Sequence, residues 1–599
     1  METRRSHPHR TGRLLLAAVA TLGLVAGACS KKDSGSSGGA TTTAASSATT
    51  AGGGDTTVPA TEAPTTTAAK KKPVMGGTLK VSGEAEVANA WTPGKIQCDQ
   101  YCYVRASTFF DTLLVRNSKG EFVGSLVDKF DHNADYTVWT FHMREGVKFT
   151  DGTPVDAEAA VFNLKEQGAS LLTAAAISDM GRLPDGTLAA EVVDPMTFTI
   201  KTGKGGDLTK PVPWPVMPTY LTGQLGYIAS PTWLKAAKAD PTLEGKPIGS
   251  GPFIVESYAP QEKLVVKRNP NYWMKDADGN QLPYLDGIEF RVIQDSETAA
   301  EALKNGDIDV FATSSSAVIA DFRKVSDTFP MTEQDQFVET NYNMIDLAKP
   351  GPLQDQRVRC ALRKAVNRQE LIDLTGGGIL KVANGLRSPG QEGYLADNGD
   401  DGKQDIEGAK ALIADYLKEH PGPIAVKYGT TVSNLNAQTA ELLKGYWKEI
   451  GVDTTIVQVP QDQYITKALF GDPDFEIFGW RQHGGPLIDA QYLWWHSSNA
   501  KDDGQLSLNF ARLKDPIIDD NLDKARSEAD PAKRQAYAEA INKEMVDKCW
   551  NLPGSWTLWG VPHKPAVQGL GELVLPDGSA ENDNGGFFGL TGAWLDKAA

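Results

Sequence analysis

Two kinds of hydrophobic spacing trade places along this chain. TLKVS at 78–82 and YTVWTFHM at 136–143 alternate apolar and polar positions, as half-buried strands do. Asp156 then stands where a helix N-cap belongs, with Ala157, Val161 and Leu164 on one helical face. Asp355 precedes a stripe of Val358, Leu362 and Ala365, and Asn367 with Glu370 three residues on makes a capping box. Farther along, IAVKY at 424–428 reads as a strand. A helix with Ala440, Leu443, Trp447 and Ile450 on one stripe follows, stopped by Gly451, and TTIVQV at 454–459 is the next strand. Strand, helix, strand in that order predicts an α/β layer with a mostly parallel sheet. A third strand, FEIFGW at 475–480, runs straight into RQHGGP. Ligands of open α/β sheets sit beyond the carboxyl ends of strands, so Trp480 to His483 is the first place to expect a site.

The first seventy residues follow neither rhythm. Arg4, Arg5, Arg10 and Arg13 precede an apolar run from Leu14 to Val25. That run is too short to span a bilayer core, which takes about 20 helical residues, so it reads as a secretory signal over 1–28. Ala26, Gly27, Ala28 and Cys29 resemble a bacterial lipobox, which implies cleavage before Cys29 and acylation of its thiol. Residues 29–72 are almost wholly Ser, Thr, Ala, Gly and Lys and cannot bury enough apolar surface to fold. They form a tether whose root-mean-square reach is about 35–40 Å. Either the general or the twin-arginine export route remains open.

Charge narrows the partners. The chain carries a formal −16, and −19 once the four Arg and one Glu of residues 1–28 are gone, which argues against nucleic acid. Of five cysteines, Cys29 is the lipid site. Cys98 and Cys102 in CDQYC would lie about 13 Å apart on a strand but about 6 Å apart on one helical turn, which favours a disulfide over free thiols or a metal. Cys360 and Cys549 either pair or stay buried. The folded part has no Walker loop, H-E-x-x-H, C-x-x-C or G-x-S-x-G. DADGN at 276–280 and DNGDDG at 397–402 lack calcium-loop spacing and read as exposed acidic turns. No enzyme and no cofactor is expected.

Five blocks, in order, carry a resemblance: GGTLKVS at 76–82; FDTLLVRNSKGEFVGSLVDKF with WTFHMREGVKFTDGTPVDAEAAVFNLK within 110–165; PIGSGPFIVESYAPQEKLVVKRNPNYW at 247–273; YLDGIEFRVIQDSETAAEALKNGDIDVF at 284–311; and VRCALRKAVNRQELI at 358–372. The chain from 76 to 599 thereby resembles the family 5 extracellular solute-binding proteins of ABC importers, the peptide/nickel type. The resemblance implies an α/β, two-lobed periplasmic-binding-protein-like fold of class II type. Lobe I would comprise 73–108, 233–340 and 556–599, with an extra domain inserted at 109–232, and lobe II would comprise 341–555. Two strands, near TNYNM (340–344) and NLPGSW (551–556), would cross between the lobes as hinges. The implied partners are a small solute, an oligopeptide or an oligosaccharide, and ABC permease subunits, with a monomer held on the outer face of the cell membrane by its lipid.

The resemblance also implies site residues. Trp480 matches a pocket tryptophan. Peptide binders of this type usually carry an Asp three residues later, to pair with the peptide ammonium; here that position is His483, which puts recognition of a peptide terminus in doubt. Arg481 is a candidate for a solute carboxylate. Trp91 and Gln97 should face the cleft from lobe I. Trp494 and Trp495 suit stacking, though adjacent residues face different ways, so at least one should be structural. His483 and His496 are weak candidates for a metal, and Asn341 and Asn343 fit hinge geometry better than solute contact. Besides import, a surface solute sensor and a hydrolase built on the same scaffold remain as alternatives.

Overall fold

The computed structural model describes residues 71–598, apart from 85, 87–90, 97, 473, 483–484 and 582–584. The signal at 1–28, Cys29 and nearly all of the tether therefore lie outside the described residues. Among those described, no helix is long and apolar enough to cross a membrane.

Three sheets organise the chain. Lobe I holds five strands in the order 310–311, 78–83, 287–292, 263–268, 253–259, in which Thr78–Gly83 runs parallel to both Gly287–Val292 and Val310–Phe311. Lobe II holds six, in the order 381–382, 551–556, 340–345, 477–482, 424–431, 452–459. A four-stranded antiparallel sheet (127–132, 138–143, 197–201, 190–194) comes between the first two lobe I strands in the chain order.

The lobe II sheet is mixed rather than mostly parallel. Ile424–Thr431 pairs in parallel with Val452–Val459 and Ile477–Gln482, but Thr340–Ile345 runs antiparallel to both Ile477–Gln482 and Asn551–Trp556. The reason lies in the connection between lobes. Met331–Gln334 and Trp559–Pro562 pair antiparallel against lobe I, and the same two chain segments continue as the antiparallel pair 340–345 and 551–556 in lobe II. An outgoing and a returning segment laid side by side must be antiparallel.

Period-two alternation sorts the lobe II core. Phe478 and half-buried Trp480 join the cluster with Tyr342, Met344, Phe475, Trp495 and Phe510 on one face. Ile477 faces the other way, toward Trp447, Leu443 and Leu362. Residues 138–143 form a strand as the alternation predicts, but Tyr136 does not join it. Its φ of 56° places it in the left-handed region, because the Asn133–Tyr136 turn closes there. Asp156 and Asn367 do cap helices, accepting from Ala159 N and Glu370 N. Cys98 is bonded to Cys102, with Cα atoms 4.9 Å apart, at the start of helix Gln100–Ala106; Cys360 is bonded to Cys549, fastening helix Gln356–Ala365 to the end of helix Pro531–Asp547.

Candidate functional site

Strands of the two large sheets bring their carboxyl ends together. In lobe II, Ile477–Gln482 finishes at Trp480, Arg481 and Gln482. In lobe I, Thr78–Gly83 delivers Glu84 and Val310–Phe311 delivers Thr313 and Ser314. The two ends touch. Arg481 is exposed, its Nη1 donates to Ser314 Oγ at 2.7 Å, and its guanidinium lies 5.2 Å over the ring of Trp559. Ser314 in turn gives its N–H to Glu84 Oε1 (2.7 Å) and its hydroxyl to Glu84 Oε2 (3.1 Å). Thr313 Oγ1 and Ser296 Oγ also donate to Glu84, at 2.9 and 3.2 Å. Glu84 thus sets Ser314 as the acceptor for a cation arriving from the other lobe. Among the described residues Arg481 has no carboxylate partner.

Beside Arg481 stands an aromatic wall. The Trp480 ring meets Tyr464 at 6.1 Å and Phe510 edge-on at 4.9 Å, and Phe510 meets Trp494 edge-on at 5.3 Å. Trp480 and Trp494 are both half-buried and keep open surface. The Tyr464 hydroxyl donates to Gly429 O (3.1 Å) and Gly479 O (2.9 Å), tying two parallel strands beneath the wall, and burial pushes its pKa well above the usual value. Trp495 is the structural member of its pair: it is fully buried and packs on Tyr342 at 6.1 Å.

Not every expected residue lands here. Trp91 is 0% exposed, enclosed by Phe109 at 5.1 Å, Tyr258 at 5.4 Å and the Arg105 guanidinium at 5.1 Å. That corrects its placement in the cleft, since the lobe I core leaves it no face for a solute. Gln97 and His483 lie outside the described residues. Asn343 accepts from Tyr428 OH at 2.8 Å, and Asn341 donates to Ser555 and Thr557, both at 3.3 Å. Both therefore hold the crossing strands. His496 has its Nδ1 taken by Ser498 N–H (3.1 Å), and burial lowers its pKa. No group of three potential metal ligands occurs among the described residues. Glu84 and Ser314 escaped sequence reasoning. The strand-end rule that picked out Trp480 would have found Glu84 two residues after TLKVS.

A second set of contacts joins lobe II to the inserted domain. Arg526 and Asp489 of lobe II pair at 2.7 Å, buried. The inserted domain adds Tyr220 OH (2.7 Å) and Trp214 Nε1 (3.3 Å) to Asp489, and Asp179 to Arg526 (3.3 Å). Lys204 reaches Asp523 at 2.6 Å. Burial works against the Arg526 charge, but Asp489, Tyr220 and Asp179 outweigh it and hold its pKa above the ordinary value.

A model of the bacterial extracellular solute-binding proteins, family 5 Middle, matches residues 121–502. The nickel-binding periplasmic protein of Escherichia coli is 26% identical over 502 residues, covering 80% of this chain and 91% of that protein. The E. coli periplasmic oligopeptide-binding protein OppA is 26% identical over 466 residues, covering 73% and 80%. Among solved structures, Helicobacter pylori DppA in complex with the peptide STSA superposes with a TM-score of 0.73 at 20% identity, over 88% of this chain and 99% of that one. Bacillus subtilis AppA in complex with a nonapeptide gives 0.70 at 18%, over 88% and 100%. At these identities the structures establish the two-lobed α/β fold.

Proposed function

The chain belongs to the bacterial extracellular solute-binding proteins of family 5, and from that premise we propose that it is the capture subunit of an ABC importer, closing on a peptide or similarly sized polar solute. The observation that carries this reading is the meeting of opposed strand ends: Arg481 of lobe II on Ser314 of lobe I, beside the open faces of Trp480 and Trp494. A solute carboxylate or carbonyl takes the place of Ser314 on Arg481, while Trp480 and Trp494 pack on its apolar parts. Gln97 and His483, which lie outside the described residues, are proposed as further solute contacts, the latter an imidazole where peptide binders usually carry a carboxylate. The oligopeptide binders among its relatives support a peptide; the aromatic wall and the missing Asp support an oligosaccharide as the second reading.

Function follows from differential binding, since only a solute that favours the closed arrangement shifts the lobes. The crossing strands near 340–344 and 551–556, expected as the hinges themselves, are built into the lobe II sheet, so the links leading into them, 335–339 and 557–558, serve as hinges between lobe I (73–108, 233–340, 556–599, with 109–232 inserted) and lobe II (341–555). The domain is exported, loses residues 1–28 and stays on the outer membrane face through acylated Cys29. There it hands solute to a permease unchanged.

Native mass spectrometry of the purified chain identifies the solute that co-purifies. Trp480→Ala then weakens its binding by about tenfold or more, about 1.4 kcal/mol. Unchanged affinity removes Trp480 from the site, and a solute released chemically altered overturns the transport reading.

A further inference from the structure

Residues 387–391 form a bracket against two separate segments, the hinge link 335–339 and the loop beyond Arg481. On the hinge side, Val338 O accepts from Ser388 Oγ at 2.8 Å and from Gln391 Nε2 at 3.2 Å. Gln391 Oε1 accepts in turn from Ser388 N–H at 3.0 Å, which fixes these donors to one another. Phe337, the residue before, has a φ of 53°, an unfavourable left-handed conformation for an aromatic residue. Gly390 closes against it: a Cβ there would come 3.2 Å from the Phe337 ring and 3.0 Å from Gln336 Oε1. Only glycine lets the bracket sit that close.

On the loop side the bond is made by Arg387, which is 1% exposed. Its Nε donates to Glu392 O at 2.7 Å, and its Nη2 to Gly485 O and Pro486 O at 3.2 and 3.3 Å. Glu392 N–H adds a bond to Pro486 O at 2.8 Å, and Gly485 N–H returns to Phe337 O at 3.0 Å. Hinge link, bracket and loop thus make a closed ring of contacts. Among the described residues every hydrogen bond of Arg387 goes to a backbone carbonyl. Burial pulls its pKa down to about 10, with the Glu392 charge pulling the other way. A buried guanidinium fork spent wholly on carbonyls fixes the course of a chain segment.

We propose that Arg387 is a positioning residue for solute capture, tying the loop that leaves Arg481 to the hinge link at Phe337 and Val338. Turning of the link during lobe closure carries the loop with it, so Arg481 reaches its place only as the lobes close. Solute and hinge thereby bias one two-state element. That role rests on Trp480 and Arg481 forming the solute site.

Hydrogen exchange of the purified chain tests the tie. Arg387→Met speeds exchange at the Gly485 and Glu392 amides by about tenfold. It also speeds the Thr557 amide, which donates to Glu339 O in the second link and which Arg387 does not touch. Amides of the lobe I sheet keep their wild-type rates. Arg387→Lys keeps the cation and spares the fold but loses the fork, and speeds the same three amides by about threefold. Isothermal titration with a pool of random tetrapeptides reads the function. Arg387→Met weakens pool binding about tenfold alone but less than about twofold on top of Arg481→Gln, because it acts through Arg481. A merely structural role costs the same factor in both backgrounds. That result, or wild-type exchange at Gly485, Glu392 and Thr557 in both variants, overturns the proposal. No binding of the pool to the wild-type chain overturns the peptide reading instead, and the exchange rates then decide the role of Arg387 by themselves.

Discussion

The inserted domain touches both lobes through a buried aspartate that accepts from a tyrosine and a tryptophan, yet the two junctions are built to opposite ends. Toward lobe I, Asp111 belongs to the inserted side and accepts from Ser250 Oγ (2.8 Å), Trp273 Nε1 (3.0 Å) and Tyr272 OH (3.1 Å). Backbone bonds run alongside: Gly251 N–H to Phe109 O, Ser230 N–H to Ile248 O, and Thr150 N–H to Gly249 O. Toward lobe II, Asp489 belongs to the lobe and already owns a counterion, Arg526. The inserted domain adds only side-chain donors to it, Tyr220 and Trp214, and an acceptor, Asp179, to Arg526. Separation at the first junction would strand a carboxylate among broken backbone bonds. At the second it would leave an ion pair intact for water to solvate. The first junction welds the inserted domain to lobe I, and the second clasps it reversibly to lobe II.

Substitution should expose that difference in stability first. Asp111→Leu leaves the Ser250, Tyr272 and Trp273 donors without their acceptor, the first two in the buried core of the junction. The expected loss is about 3–5 kcal/mol, read as a fall in the urea midpoint at constant m-value. A loss under about 1 kcal/mol would mean that the junction is already hydrated.

Arg526→Met leaves Asp489 and Asp179 facing one another in a buried site. A carboxylate pair stripped of its cation costs several kcal/mol if it cannot escape, but here opening the clasp hydrates both. Small-angle scattering should show a larger radius of gyration than wild type in the presence of solute. Solute affinity should fall by about tenfold or more, with a change in urea midpoint well short of that of Asp111→Leu. An unchanged radius with a stability loss matching Asp111→Leu would make the second junction a weld as well.

The same contrast explains how much the sequence reveals. Local physics reads directly from the chain: the caps at Asp156 and Asn367 and the strands at 78–83 and 477–482 all rest on neighbours within a few residues. The candidate wall was half legible for the same reason, since Trp480 and Arg481 end a strand, while Phe510 joins them from thirty residues on. Trp91 misled because Tyr258, which helps to bury it, lies far along the chain and no periodicity announces the pairing. Arg526 and Asp179 are 347 residues apart, and each alone looks like a surface charge. Tyr136 sits in perfect alternation with Val138 and Thr140, but a turn residue's φ is set by the loop that closes over it.

Acid should loosen the clasp by a smaller amount through His496. Its ring is stacked 4.2 Å from Tyr492, with Asp519 and Asp523 at 4.0 and 3.7 Å on one side and the Lys204 and Arg526 charges also acting on it. Burial is the largest influence and, together with the two cations, it lowers the folded pKa below the unfolded value of about 6.5 against the pull of the carboxylates. A depressed histidine pKa favours the folded, neutral form. Its contribution is complete above about pH 6.5 and drains away as pH falls through the folded value, at no more than about 1.4 kcal/mol per pH unit for one proton. Solute affinity measured from pH 7.5 down to 5 should therefore decline modestly, and His496→Asn should flatten that decline while leaving the neutral-pH value close to wild type. A decline that persists unaltered in H496N would move the acid sensitivity away from the clasp.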